Sequence, residues 1–225
     1  MWFSLFLVSC LLLGGFLVVV LAIGSAGMSL GSGGTSYVEE VTLRDNDSKN
    51  KVAVIDLAGL IASFSVDASG NNMVESIRRQ FKWAREDDDV RAVLFRINSP
   101  GGEVLASDEI ARAIREFQED TDKPVIASMG GLAASGGYYI AAPCKYIVAN
   151  ELTITGSIGV IMQSINLHGL FDKVGIEPVT YKSGKNKNML DPFSSPSETT
   201  DEQKKILQGF IDDTYQRFVK VVEDG

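Results

Sequence analysis

The sequence predicts an α/β fold with a mostly parallel sheet, and two observations predict it. Short apolar, β-branched runs alternate several times with segments of helical periodicity. Three of the runs end in glycine-rich turns, at 99–102, 130–137 and 155–159. In a parallel sheet, ligands bind beyond the carboxyl ends of the strands, so those turns can converge on one site.

Residues 2–23 contain no charged side chain. At about 1.5 Å per residue, such a helix crosses a hydrocarbon core of about 30 Å. The run exceeds the ~7–15 residues of a signal-peptide core and lacks a basic leader, so residues 1–26 read as an uncleaved transmembrane anchor. Gly24-Ser25-Ala26 is the competing cleavage site. Residues 27–50, first rich in Gly and Ser and then polar, read as a linker with one short strand, Tyr37 to Leu43.

The folded domain is expected over 51–225. Val52 to Leu57 reads as a buried strand, followed by a loop from Gly59 to Ser69. Met73, Ile77, Phe81 and Ala84 share one helical face, and Asp87-Asp88-Asp89 ends that helix. Val90 to Ile97 is the second strand, broken by Asn98-Ser99-Pro100-Gly101-Gly102. A helix from about 107 follows, with Ser107 as N-cap and Ile110, Ile114 and Phe117 inward. Residues 125–129 form the third strand, and Tyr138 to Ala142 can be helical. Further strands are expected at 146–149, 158–162 and 178–181, with a short helix, Leu170 to Val174, closed by Gly175. Thr200 to Glu223 reads as one amphipathic helix with Leu207, Ile211, Phe218 and Val222 on its stripe.

Composition narrows the function. A net charge of −8, with 29 acidic and 21 basic residues and no basic stripe, argues against a nucleic-acid partner. One histidine and two cysteines are too few for a His/Cys zinc cluster. Cys10 lies in the apolar run, which argues against a disulfide with Cys144.

The chemistry centres on Gly130 to Ile140, where Ser135 stands between a β-like run and a helical segment. A helix start supplies unpaired amides and the positive end of the helix dipole. A serine there is a cap in the ordinary case. It can also be a nucleophile, with the amides of Gly101, Gly102 and Gly136 available to an oxyanion. A nucleophile needs a base. His168 is the only histidine, and nothing in the sequence places it near Ser135. The alternative is a lysine of the turn 182–187, and spacing does not choose among Lys182, Lys185 and Lys187. A lysine base must be neutral, which requires burial to lower its reference pKa of about 10.4.

Four blocks occur in one order: Asn98 to Gly102, Met129 to Tyr139, Leu152 to Met162, and Lys182 to Lys187. Together they resemble the serine–lysine peptidases of family S49, the family of signal peptide peptidases. The resemblance runs from about 52 to 223. It implies a ClpP/crotonase-like spiral ββα fold. It assigns the nucleophile to Ser135, the general base to Lys187, the oxyanion hole to Gly102 and Gly136, and a supporting role to Ser157. It further implies peptide substrates, no metal or organic cofactor, a homo-oligomer that shares catalytic residues, and a site outside the cytoplasmic membrane. Family members continue past the final helix, so a C-terminally truncated domain is expected here. The rival expectations are a crotonase-like acyl-CoA enzyme and an inactive membrane scaffold of the same fold.

Overall fold

A computed structural model of the chain describes residues 40–45, 47–63 and 72–225. The anchor expected over 1–26 lies outside the described residues, as does the linker up to residue 39. Among the described residues no helix is long and apolar enough to cross a membrane. Glu40 to Leu43, the described part of the expected linker strand, forms none.

The sheet is parallel throughout. Its strands β1 (Lys51–Ala58), β2 (Val90–Ser99), β3 (Val125–Ala134) and β4 (Tyr146–Val148) lie in that order, and β5 (Ile154–Gly156) also pairs with β3. β3 is twice as long as its apolar run suggests because it continues through Gly130-Gly131. Its first half pairs with β4 at Ile126–Ser128, and its second half with β5 at Leu132–Ala134. The β2–β3 register slips between Ile97 and Ser99, where the Asn98 side chain accepts the Leu132 N–H at 3.2 Å. The slip delivers the ends of β2, β3 and β5 to one place.

Helix α1 (Met73–Glu86) is capped by Asn72, whose Oδ1 accepts the Glu75 N–H at 2.9 Å. It buries Val74, Ile77, Phe81 and Ala84, and Met73 packs partly buried against the same core. Helix α2 (Val104–Thr121) buries Ile110, Ile114 and Phe117 as expected. The two pack on the sheet through Phe81, whose ring centroid is 5.8 Å from Phe95 and 5.3 Å from Phe117. The start of α2 corrects the expected cap. Glu103 holds the N-cap position, and Ser107 lies inside the helix with its hydroxyl donating to the Glu103 carbonyl at 2.9 Å. The tight turn at Gly101-Gly102, with φ of 98° and 156°, lets the helix begin earlier than the polar pattern indicates.

Lys123 closes the far end of α1. Its ammonium donates to the carbonyls of Ala84 (2.9 Å), Arg85 (3.3 Å) and Asp87 (2.9 Å), groups that have no partner within the helix. Lys123→Met is therefore expected to lower stability by about 1–2 kcal/mol, read as a shift in the denaturant midpoint. An unchanged midpoint would show that the cap contributes nothing.

Helices α3 (Gly136–Ala141), α4 (His168–Val174) and α5 (Asp201–Asp224) complete the chain. Gly175 ends α4 in the left-handed region, at φ 71°. Thr200 and Gln203 cap α5 reciprocally, at 3.2 and 3.0 Å. Of the expected stripe on α5, Phe218 is buried and Leu207, Ile211 and Val222 are partly covered, while Ile206 and Phe210 are exposed. The strands expected at 158–162 and 178–181 do not form. Ile161 and Val179 are 83% and 74% exposed, and a β-prone run becomes a strand only beside a ladder partner.

Candidate active site

Ser135 joins β3 to α3 with φ 53° and ψ −123°. An L-residue held there stores on the order of 1–3 kcal/mol of strain, and persists only where its surroundings over-determine it. Both peptide groups are held. The Ser135 N–H donates to the Gly156 carbonyl at the end of β5, at 2.8 Å. Its carbonyl accepts the N–H groups of Tyr138 and Tyr139, both at 2.9 Å. Ser135 occupies the N-cap position, yet its side chain makes no capping bond. A capping serine has extended φ and ψ, and positive φ turns this hydroxyl away from the helix amides. The half-buried hydroxyl makes no hydrogen bond among the described residues.

The turn after β2 lies against this serine. Ser99 is fully buried, and its Oγ accepts the Gly101 N–H at 3.0 Å. A Cβ on Gly101 would stand 2.6 Å from the Gly136 nitrogen and 2.8 Å from the Ser135 Cβ, so glycine is required for the approach. Gly102 forms a parallel bridge with Ile61. Ile61 donates to the Gly101 carbonyl at 2.9 Å, and its own carbonyl accepts the Glu103 N–H at 2.8 Å. In a parallel bridge those bonds engage the residues flanking Gly102, which leaves the Gly102 N–H pointing to the opposite side. That nitrogen lies 3.3 Å from where a Cβ on Gly136 would sit. Gly136 opens α3, so helix geometry leaves its N–H without an acceptor. Among the described residues, the Gly102 and Gly136 amides and the nearby Ser135 hydroxyl thus have no hydrogen-bond partner.

Ile61, Ser63 and Glu103 support this arrangement, and the sequence signals none of them. The Glu103 carboxylate accepts the Ser63 hydroxyl at 2.5 Å and the Ser63 N–H at 2.8 Å. It thereby pins the loop that orients Gly102. Those two bonds hold the Glu103 carboxyl below its ordinary value. Because the folded value is depressed, the stabilisation is complete above the unfolded value of about 4.3 and is lost as pH falls through the folded one. Wild type is therefore expected to lose more stability than Glu103→Gln between about pH 5 and pH 3. Parallel losses in acid melting curves would refute the anchor.

The other expected site residues lie as follows. Ser157 follows β5 at φ 53° and is exposed. Lys182 donates to Asn188 Oδ1 at 2.6 Å. Lys185 is ion-paired with Glu202 in the first turn of α5, and Asn186 donates to the same carboxylate at 3.3 Å. The Lys185 bond, followed by that of Asn186, lowers the Glu202 pKa. Lys187 is exposed, and among the described residues its ammonium has no partner. The structure thus brings together Ser135, Gly102 and Gly136, and no hydrogen bond joins Ser135 to a lysine within the chain. It does separate the three lysines, because only Lys187 has an uncommitted ammonium. His168 opens α4, with Nδ1 3.2 Å from the Phe193 carbonyl and no bond to Ser135. Cys144 is a free, buried thiol whose pKa burial pushes up to about 12, so it is no rival nucleophile.

A hydroxyl without a partner among the described residues, on a strained strand-to-helix turn near the Gly102 and Gly136 amides, can attack a carbonyl carbon and leave the resulting oxyanion to those amides. The comparisons with known proteins agree with that chemistry. A protein of Enterococcus faecium named as a candidate signal peptide peptidase SppA is 38% identical over 199 residues, covering 85% of this chain and 56% of its own length. A protein of Methanocaldococcus jannaschii named as a candidate protease is 45% identical over 139 residues, covering 62% of this chain and 43% of its own. Protease 4 of Haemophilus influenzae is 36% identical over 178 residues, covering 78% and 28%. The chain spans about half the length of the first two. Residues 117–225, which include Ser135, Ser157 and the lysine turn, match peptidase family S49. The chain belongs to peptidase family S49.

Proposed function

We propose that this chain is the catalytic part of a membrane-anchored serine endopeptidase that degrades signal peptides and other membrane-derived peptides. The observation that carries the reading is the free Ser135 hydroxyl in a strained turn beside the unused amides of Gly102 and Gly136. The fold proposed is the ClpP/crotonase-like spiral, which the parallel sheet with α1 and α2 packed on it supports.

Ser135 Oγ attacks the scissile carbonyl carbon, and its proton passes to the neutral Nζ of Lys187. The carbonyl oxygen becomes an oxyanion between the Gly102 and Gly136 amides. Collapse breaks the C–N bond, and the departing amine takes the proton back from Lys187. A water then attacks the ester, Lys187 accepts the water proton, and the acid product leaves as the Ser135 hydroxyl re-forms. No metal or organic cofactor enters any step.

A lysine acts as a general base only in its neutral form. Burial is what makes it a base. We place that burial at a contact with a second copy of the chain. The apolar surface of Leu152, Ile161, Ile165, Val179 and Tyr181, each at least 74% exposed, supports such a contact. Ser157 then orients the lysine amine. Residues 1–26 form a single-pass anchor, with the site on the outer side of the cytoplasmic membrane.

The test uses the full chain with casein or a synthetic signal peptide. Cleavage by wild type, and its loss in a Ser135→Ala variant of unchanged melting temperature, are expected. Wild-type turnover by Ser135→Ala would overturn the reading.

A further inference from the structure

A six-residue helix does not hold its own N-terminus, because helices this short are unstable without tertiary support. The strained geometry of Ser135 therefore needs an external anchor on α3. Tyr139 links the two. Its N–H donates to the Ser135 carbonyl at 2.9 Å, and its hydroxyl donates to the buried carboxylate of Asp108 on α2 at 2.7 Å. Its ring stands edge-on to Phe218 of α5, with centroids 5.0 Å apart.

Asp108 is held in turn by Arg217 of α5. The guanidinium reaches both carboxylate oxygens, Nε to Oδ1 at 3.2 Å and Nη2 to Oδ2 at 3.0 Å. Arg112, one turn along α2, lies 3.7 Å from the same carboxylate and is a weaker partner. Three helices thus meet one turn beyond the nucleophile. Burial, with Asp108 next, pushes the Tyr139 phenol up to about 12, so it remains a hydrogen-bond donor at working pH.

We propose that Arg217, acting through Asp108 and Tyr139, is a positioning residue for Ser135. Arg217 lies on the final helix and its side chain is 64% exposed. Its influence on the hydroxyl runs through the Asp108–Tyr139 bond and the Tyr139–Ser135 peptide contact. The inference rests on Ser135 being the nucleophile.

The experiment is a double-mutant cycle on the full chain with Arg217→Met and Tyr139→Phe, the second of which keeps the ring and its packing. Each single variant is expected to lower kcat by about 10- to 100-fold, with KM within about twofold, because small misplacements of reacting atoms cost that much. The double variant is expected to lose no more than the worse single one, because both break one chain of contacts. Arg217→Lys is expected to recover only part of the rate, since an ammonium does not reproduce the bidentate fork. The rate of Ser135 modification by a fluorophosphonate should fall in parallel with kcat. Additive losses, or a Tyr139→Phe variant with wild-type kcat and labelling rate, overturn the inference. Wild type that is not labelled at Ser135 would instead refute the serine mechanism.

Discussion

Replacing Ser135 by glycine is expected to abolish peptide cleavage and to raise the stability of the folded chain. The two effects have separate causes at one residue. Removing the hydroxyl removes the nucleophile, and losses of about 10⁴-fold or more in kcat follow when a serine nucleophile is deleted. Removing the Cβ relieves a backbone held at φ 53°, ψ −123°, which glycine adopts without penalty. Glycine also adds freedom to the unfolded chain, so the net gain should be about 1 kcal/mol, read from the denaturant midpoint. Ser135→Ala should be equally inactive with no gain, since alanine keeps the Cβ. A glycine variant less stable than the alanine variant would show that the turn is not strained. Residual cleavage at wild-type rate would remove Ser135 from the chemistry.

Lys187→Met is expected to be inactive alone and to regain activity when mixed with Ser135→Ala. A general base contributes about 10²–10⁴-fold, and more where it acts as a unit with the nucleophile. Rescue follows if the lysine serves a neighbouring chain, because some contacts in the mixture pair an intact serine with an intact lysine. An equal mixture that exchanges subunits freely should recover about a quarter of the wild-type rate, with residues paired at random across the contact. The exposed, unpartnered Lys187 and the absence of a bond to Ser135 within the chain motivate the experiment. No rescue in a mixture shown to exchange would place the lysine in the same chain as its serine.

The sheet and its two covering helices were legible in the sequence because their signals are local. Phe81, Ile110, Ile114 and Phe117 repeat at helical spacing and all lie in the core. Segments whose structure depends on a partner were not legible. Residues 158–162 and 178–181 carry β-prone side chains and remain unpaired. The start of α2 was misplaced because Ser107 resembles a cap, whereas the backbone turn at Gly101-Gly102 sets the boundary. At the site, the glycine turns announced a close approach of backbones, and the structure realises it at Gly101 and Gly136. The sequence held no sign of Ile61, Glu103 or Arg217, since each acts by long-range contact and none has a local pattern. Spacing alone does not separate Lys182, Lys185 and Lys187; the resemblance points to Lys187, and the other two ammonium groups already have partners.

In the proposed mechanism Ser135 is a nucleophile activated by Lys187. Reaction of the purified chain with a fluorophosphonate probe, followed by peptide mass analysis, tests it most directly. One adduct is expected, on Ser135, and its formation should slow by about 10²-fold or more in Lys187→Met. An adduct on another residue, no adduct at all, or an undiminished rate in Lys187→Met would contradict it.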